Sequence, residues 1–324
     1  MTGRGIDQVL PYPSDPRLYE EYADSALEYV ALAERAHGLI RKPVDFSYIW
    51  GDALKEFERF VPDIRMMNLE TSITTSGEYE PKGINYRMHP ANTPSLTAAG
   101  IDCCVVANNH VLDWGVPGLL ETLANLRSAG IKTAGAGVNA AEALEPSIDS
   151  VGTARLLVFA AATMDSGVPR HWAAGESQPG VVLLPGLSVN ETRQFAAGVL
   201  AARRPGDVVV ISVHCGGNWG YQIPPEHREF AHSMIDAGAA DVIHGHSSHH
   251  PKAIEIYHGR LILYGCGDFL NDYEGISGHE EYRSHLVLMY FVTVEPATGE
   301  LRQLVMVPLE TRRFRLRRAS LPDA

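Results

Sequence analysis

Imidazole is the commonest metal ligand among side chains, and four of the fourteen histidines of this chain lie at positions 244, 246, 249 and 250. They belong to the stretch Asp241-Val242-Ile243-His244-Gly245-His246-Ser247-Ser248-His249-His250. Its apolar opening reads as a short strand that breaks at Gly245. Beyond the break the imidazoles fan out at a sheet edge, where they can converge on neighbouring metal positions. A solvated loop that happens to be His-rich accounts for this stretch alone, so the decision rests on whether the pattern recurs. It does. Glu70 follows the apolar run 65–69, Asn109 and His110 follow 102–107, His214 follows 207–213, and His246 and His249 follow 241–244. In open α/β sheets ligands bind outside the carboxyl ends of strands, so these separate loops can meet in one crevice. A carboxylate, an amide oxygen and imidazoles make a mixed oxygen and nitrogen shell, which suits Mn, Fe, Co or Zn better than Mg or Ca.

Other chemistries are weaker in this sequence. Cys215 follows His214 directly, but adjacent strand residues point to opposite faces, so His214 is badly placed to activate that thiol; Cys266 is the other candidate nucleophile. A serine-hydrolase elbow and a phosphate-binding glycine loop are absent, and Gly135-Ala136-Gly137 is too short to count as one. His232 and Asp236 sit one turn apart on a predicted helix and read as a solvated face. His171 and Trp172 fall in the loop 166–180, a candidate lid element.

The elements that must position these residues follow from periodicity and punctuation. Helical spacing predicts helices over 15–38, 50–60, 117–129, 189–203 and 225–237, several closed by glycine. Short apolar runs predict strands over 65–69, 102–107, 155–162, 207–213 and 241–244. Strands over 253–257, 261–264, 285–294 and 301–307, joined by short turns, predict an antiparallel end to the chain. The region 74–94, rich in Gly and Pro, reads as a long loop carrying Lys82, Arg87 and His89, which can cover an anionic substrate. Alternating β and α followed by antiparallel strands implies an α/β sandwich with at least one mixed sheet, and the lack of a linker implies one domain over 1–324.

Of the 324 residues, 45% are hydrophobic and 20% charged, an ordinary balance for a globular chain with a sizeable core. The formal net charge of −12 argues against a nucleic-acid footprint. The basic run 311–318 alternates and reads as a terminal strand with one charged face. No apolar leader or membrane-length run is visible, and the four cysteines show no zinc or disulfide spacing, so the expectation is a cytoplasmic protein without a membrane anchor. Cys103 and Cys104, inside an apolar run, read as core packing.

With these elements in place, the sequence resembles the CapA-type capsule-biosynthesis family of poly-γ-glutamate synthesis, within the calcineurin-like metallophosphoesterase superfamily. The resemblance is carried by Asn68-Leu69-Glu70, Ala107-Asn108-Asn109-His110 with Asp113-Trp114-Gly115, Gly135-Ala136-Gly137, His214, and the stretch from Asp241 to His249. It extends from Gly3-Arg4-Gly5 to Phe314. It implies a metallophosphatase-like, four-layer α/β/β/α sandwich with two mixed sheets and a centre of one or two Mn, Fe or Zn ions on one rim. It implies that Glu70 is a bridging carboxylate, that Asn109, His214 and His246 complete one site, and that His249 serves the other ion. His110 matches the acid catalyst and Asp113 its orienting partner, with Arg4, Lys82 and Arg87 as substrate-binding cations.

Departures from the family pattern are specific. Family members carry a strand ending in Gly-Asp just before the segment that matches residues 1–4, and its Asp is a metal ligand; this chain starts at or after that point. The site of Glu70, Asn109, His214 and His246 is therefore expected to hold metal more reliably than the His249 site. Asp268 stands where the family has Asn, Ser247 replaces a His, and Cys215 takes a position often aromatic. The implied activity is metal-dependent hydrolysis of a phosphoester or a peptide-like amide bond in a small molecule or an anionic polymer. The alternative is a non-catalytic accessory protein that binds the anionic polymer during its synthesis.

Overall fold

Side chains along the strand Ala154–Thr163 alternate between two cores, with Leu157, Phe159 and Ala161 in one and Val158, Ala160 and Ala162 in the other. A strand apolar on both faces must be covered on both faces. The computed structural model, which describes residues 1–320, shows how. Ala154–Thr163 runs parallel to Asp207–His214, which pairs in parallel with Val242–His246, and that in turn with Arg260–Leu263. Ile254–Tyr257 adds an antiparallel edge, while Leu183–Leu184 and Ser147–Val151 pair with the other side of Ala154–Thr163. The result is a seven-stranded mixed sheet.

One face of this sheet is covered by the helices Val189–Ala202 and Pro225–Asp236 through Phe195, Val199, Phe230 and Met234. The other face shares its core with two smaller sheets. One is parallel (Met66–Asn68, Cys103–Val105, Lys132–Ala134) and the other antiparallel (Leu286–Val294, Leu301–Thr311, Leu316–Arg318). The helices Ala26–His37 and Gly115–Ser128 add Val30, Ala33, Leu119 and Leu126 to the same core, in which Cys103 and Cys104 are fully buried. The α/β architecture is the expected one, and the layer facing the large sheet is shared between two three-stranded sheets. Gly135 lies at a point of close packing between Ala107 and Ala160. Its φ is +96°, and a Cβ there would stand 2.7 Å from Ala107 Cβ and 2.8 Å from Ala160 Cβ.

Some boundaries differ from the sequence expectation, for physical reasons. The first long helix begins at Ala26 rather than near residue 15, because Ser25 and Glu28 form a capping box that starts it there. The long loop contains a short strand, Arg87–Met88, parallel to Ser72–Ile73. The histidine-bearing strand does not break at Gly245 but runs on to His246. That glycine serves close approach instead, since a Cβ would lie 2.6 Å from Leu263 O. Among the described residues no helix is long and apolar enough to cross a membrane.

Candidate metal centre

The register of two neighbouring strands sets the first half of the site. In the parallel pairing of Asp207–His214 with Val242–His246, His214 stands beside His246 and Ser212 beside His244. All four occupy the sheet face shared with Val210 and Val242, which looks toward the smaller sheets. His214 Nδ1 and His246 Nδ1 are 2.9 Å apart, and Ser212 Oγ lies 2.9 Å from both His246 Nε2 and His244 Nδ1. Both ring nitrogens of His246 are thus engaged. His214 keeps Nε2 buried with no partner. When His214 Nδ1 donates to His246, that Nε2 presents a lone pair, the form a metal ligand needs. Burial, reinforced by the charges of His249 and Lys82, pushes the His214 pKa down to about 3 and keeps the ring neutral. Burial likewise holds His246 well below the usual imidazole range.

The second half comes from the small parallel sheet. Glu70 follows Met66–Asn68, and Asn68 Nδ2 donates to its Oε2 at 2.8 Å. Asn68 is itself fixed by Asn108 Nδ2 at 2.9 Å, while Asn108 Oδ1 accepts from the His110 backbone at 3.0 Å. Glu70 Oε1 is left 4.0 Å from His214 Nε2. The amide of Asn109 lies against the turn at Gly167, where a Cβ would stand 3.4 Å from its Nδ2. That turn grips the strand end, since Ser166 Oγ donates to His214 O at 3.0 Å. Asn109 Oδ1 is buried and has no partner. Glu70 thus faces His214, and the Asn109 amide packs on the turn that holds the end of the His214 strand.

His110 stands at the edge of this group. Its Nδ1 is 2.7 Å from Asp113 Oδ2, and its ring meets that of Tyr86 edge-on at 4.6 Å. Burial holds the His110 pKa below its ordinary value, with Asp113 opposing the shift and Lys82 adding to it. Lys82 donates to Asp113 Oδ1 at 2.8 Å and to the Asn109 carbonyl, and lies 3.3 Å from His110 Nδ1. It is tied into the His110 group rather than held out as a separate substrate cation.

His249 lies nearby, with Nδ1 3.1 Å from both carboxylate oxygens of Asp268. Burial opposes its charge, but Asp268, helped by Glu70, raises its pKa. Asp268 thus fixes the His249 ring so that Nε2 is its other available face, an arrangement common behind metal-bound histidine.

Two of the expected substrate cations have other work. Arg4 is buried, with Nη2 2.6 Å from Asp272 Oδ1, Nη1 3.0 Å from Glu20 Oε1, and its guanidinium 3.6 Å from the centre of the Tyr29 ring. Every donor group of its side chain is engaged by protein. Arg87 donates to the carbonyls of Ser76 and Asp15 at 3.1 Å each and covers the Trp114 ring at 3.9 Å. It braces the loop. The candidate lid residue Trp172 is buried in the core.

The donors present fit a divalent ion. The buried, partnerless atoms Asn109 Oδ1 and His214 Nε2 are both neutral acceptors, and such atoms are costly unless something cationic or protic completes them. Among the described residues, no three His, Cys, Asp or Glu side chains already converge on one point. His246 reaches the set only by exchanging one of its two hydrogen bonds for an ion. Sequence reasoning passed over Asn68, Asn108 and Asp268 as supporting residues, although each lies within three positions of a named one or in a motif. Only the side-chain geometry gives them roles.

The model of the bacterial capsule synthesis protein PGA_cap family matches residues 1–273. A Mycobacterium tuberculosis protein named "Probable polyglutamine synthesis accessory protein" is 49% identical over 326 aligned positions, covering 100% of this chain and 86% of that protein. The PGA biosynthesis protein CapA of Bacillus subtilis is 28% identical over 207 positions, covering 63% of this chain and 52% of that one. A crystal structure of a hypothetical protein from Thermus thermophilus aligns with 79% of this chain and 91% of its own, at 16% identity and a TM-score of 0.49. The family match takes in Glu70, Asn109, His110, His214, His246 and His249 together, and the chain belongs to the bacterial capsule synthesis protein PGA_cap family.

Proposed function

We propose that the chain is a metal-dependent hydrolase of phosphoester or peptide-like amide bonds, tied to the metabolism of poly-γ-glutamate or capsule polymer. The observation that carries this reading is the pair of buried, unpartnered acceptors, Asn109 Oδ1 and His214 Nε2, beside Glu70 and next to the His110–Asp113 pair. Glu70, Asn109, His214 and His246 would hold one Mn, Fe or Zn ion, and His249 a second. A divalent ion there supplies Lewis acidity and lowers the pKa of water. The chain's own residues do the rest. Asp113 and Lys82 fix the His110 ring with Nε2 directed away from their bond. An anionic group arriving beside His110 raises its pKa, and the imidazolium so formed protonates the leaving group from Nε2.

A second reading is favoured by the lack of a preformed three-ligand cluster among the described residues and by the accessory role in the name of the mycobacterial relative. In it the chain binds the anionic polymer without turnover. One experiment separates the two. The purified chain is reconstituted with Mn, Fe or Zn, its metal content is measured by elemental analysis, and p-nitrophenyl phosphate and γ-glutamyl p-nitroanilide are offered as substrates. The hydrolase reading expects retained metal that is lost in His214→Ala, and turnover that tracks it. No retained metal after reconstitution overturns that reading and leaves polymer binding.

A further inference from the structure

The same strand end carries a second cluster of reactive groups, on the opposite face of the large sheet. Cys215 follows His214, so its side chain joins Val213 and Ile211 in the core beneath the helix Pro225–Asp236. That helix supplies His227. Its Nδ1 lies 3.7 Å from Cys215 Sγ, and its Nε2 lies 3.1 Å from Asp165 Oδ2. The two ring nitrogens serve two different partners, so these three side chains cannot converge on one ion. They form the linear order of a nucleophile, a proton acceptor and an orienting carboxylate.

The surroundings hold this order in place. Asp165 accepts from Thr163 Oγ1 and from the Gly216 backbone, and its bond to His227 first and these two next push its pKa down to about 2. Burial works against a charge on His227, but the bonds to Asp165 and Cys215 outweigh it and lift the ring to about 10. Gly216, with φ +79°, allows the approach, since a Cβ there would stand 2.7 Å from His227 Cε1. Half of the Asp165 side chain is open to solvent, and Gly217 borders open space. Half-buried Lys252 interacts electrostatically with both Cys215 and Asp165 and adds a cation to the neighbourhood.

We propose that Cys215, His227 and Asp165 form a second reactive centre, separate from the metal-binding face, that accepts an acyl group from small ester or thioester donors. Sγ attacks the carbonyl carbon and forms the C–S bond of a thioester as the bond from carbon to the leaving oxygen or sulfur breaks. The proton held between Sγ and His227 Nδ1 passes to the leaving group, while Asp165 steadies the ring. Water or an amine then takes the acyl group, and its proton returns to sulfur by the same route.

The test uses the full chain with p-nitrophenyl acetate as the probe, followed by peptide mass mapping. The internal reference is Cys103, which is fully buried and whose thiol burial pushes up to about 11. The expected result is a burst of p-nitrophenolate with acetyl on the Cys215 peptide alone among the cysteines, lost in Cys215→Ser. In His227→Gln acylation slows by about 100-fold or more, the scale of one positioned proton acceptor. The wild-type map needs no variant, so misfolding of a variant does not blunt the test. Acetyl absent from Cys215, or spread equally over the other cysteines, overturns the proposal. So does an unchanged rate in a folded His227→Gln chain.

Discussion

Asp113 is fully buried and holds His110 through a 2.7 Å contact to Nδ1, with Lys82 on its other oxygen at 2.8 Å. If His110 moves a proton at Nε2, Asp113→Asn should lower kcat by about 100-fold with a small change in KM, because the ring loses its orientation rather than its contact with substrate. Steady-state kinetics with p-nitrophenyl phosphate check this. The His227–Asp165 pair gives a pH prediction that does not depend on the metal. His227 is raised from 6.5 to about 10, so its stabilising effect is complete below 6.5 and is lost as pH rises through 10. Asp165 is lowered from 3.8 to about 2, so its effect is present above 3.8 and lost as pH falls through 2. Cys215 and Lys252 also face the pair, and Asp165 interacts electrostatically with His214. Urea unfolding should therefore show stability declining from neutral pH toward pH 10, and that decline should be smaller in His227→Gln. The imidazoles of the large sheet were visible in the sequence because ligand types cluster at strand ends. The role of His227 was not, because nothing in its helical spacing shows that Cys215 lies across from it.

At the scale of elements, periodicity located most strands and helices to within a few residues, since an apolar alternation or a 3.6-residue stripe is a direct consequence of burial. It could not tell which strands share a sheet, because pairing is decided by contacts far apart in the chain. It also left the work of two glycines unseen. Gly245 looked like a break and is a point of close approach, and Gly135, set aside as too short a glycine run to bind phosphate, lets Ala107 and Ala160 pack close to the backbone. Gly135→Ala should destabilise the fold by about 1–3 kcal/mol, through overpacking and the positive φ together. A lowered urea midpoint with an unchanged slope is the expected reading; an unchanged midpoint would mean the layers can part there at no cost.

At the scale of the whole molecule, the least legible feature was the anchoring of the first residues. Arg4 and Asp272 are 268 positions apart, and no sequence pattern joins them. The family resemblance implied a substrate cation at Arg4, yet its partners Asp272 and Glu20 are buried with it. Removing it leaves carboxylates without a counter-charge, so Arg4→Met should cost about 3–5 kcal/mol in stability. Differential scanning calorimetry of the two chains checks this. The shared strand end at residues 214 and 215 has a further consequence for how such a chain can change over generations. The helix Pro225–Asp236 between these strands is constrained as well, since it covers the sheet and carries His227 to Cys215. A single residue gained or lost inside Asp207–His214 exchanges the two faces. It would carry the imidazole to the helix side and the thiol to the other, so that one small deletion rearranges both faces at once.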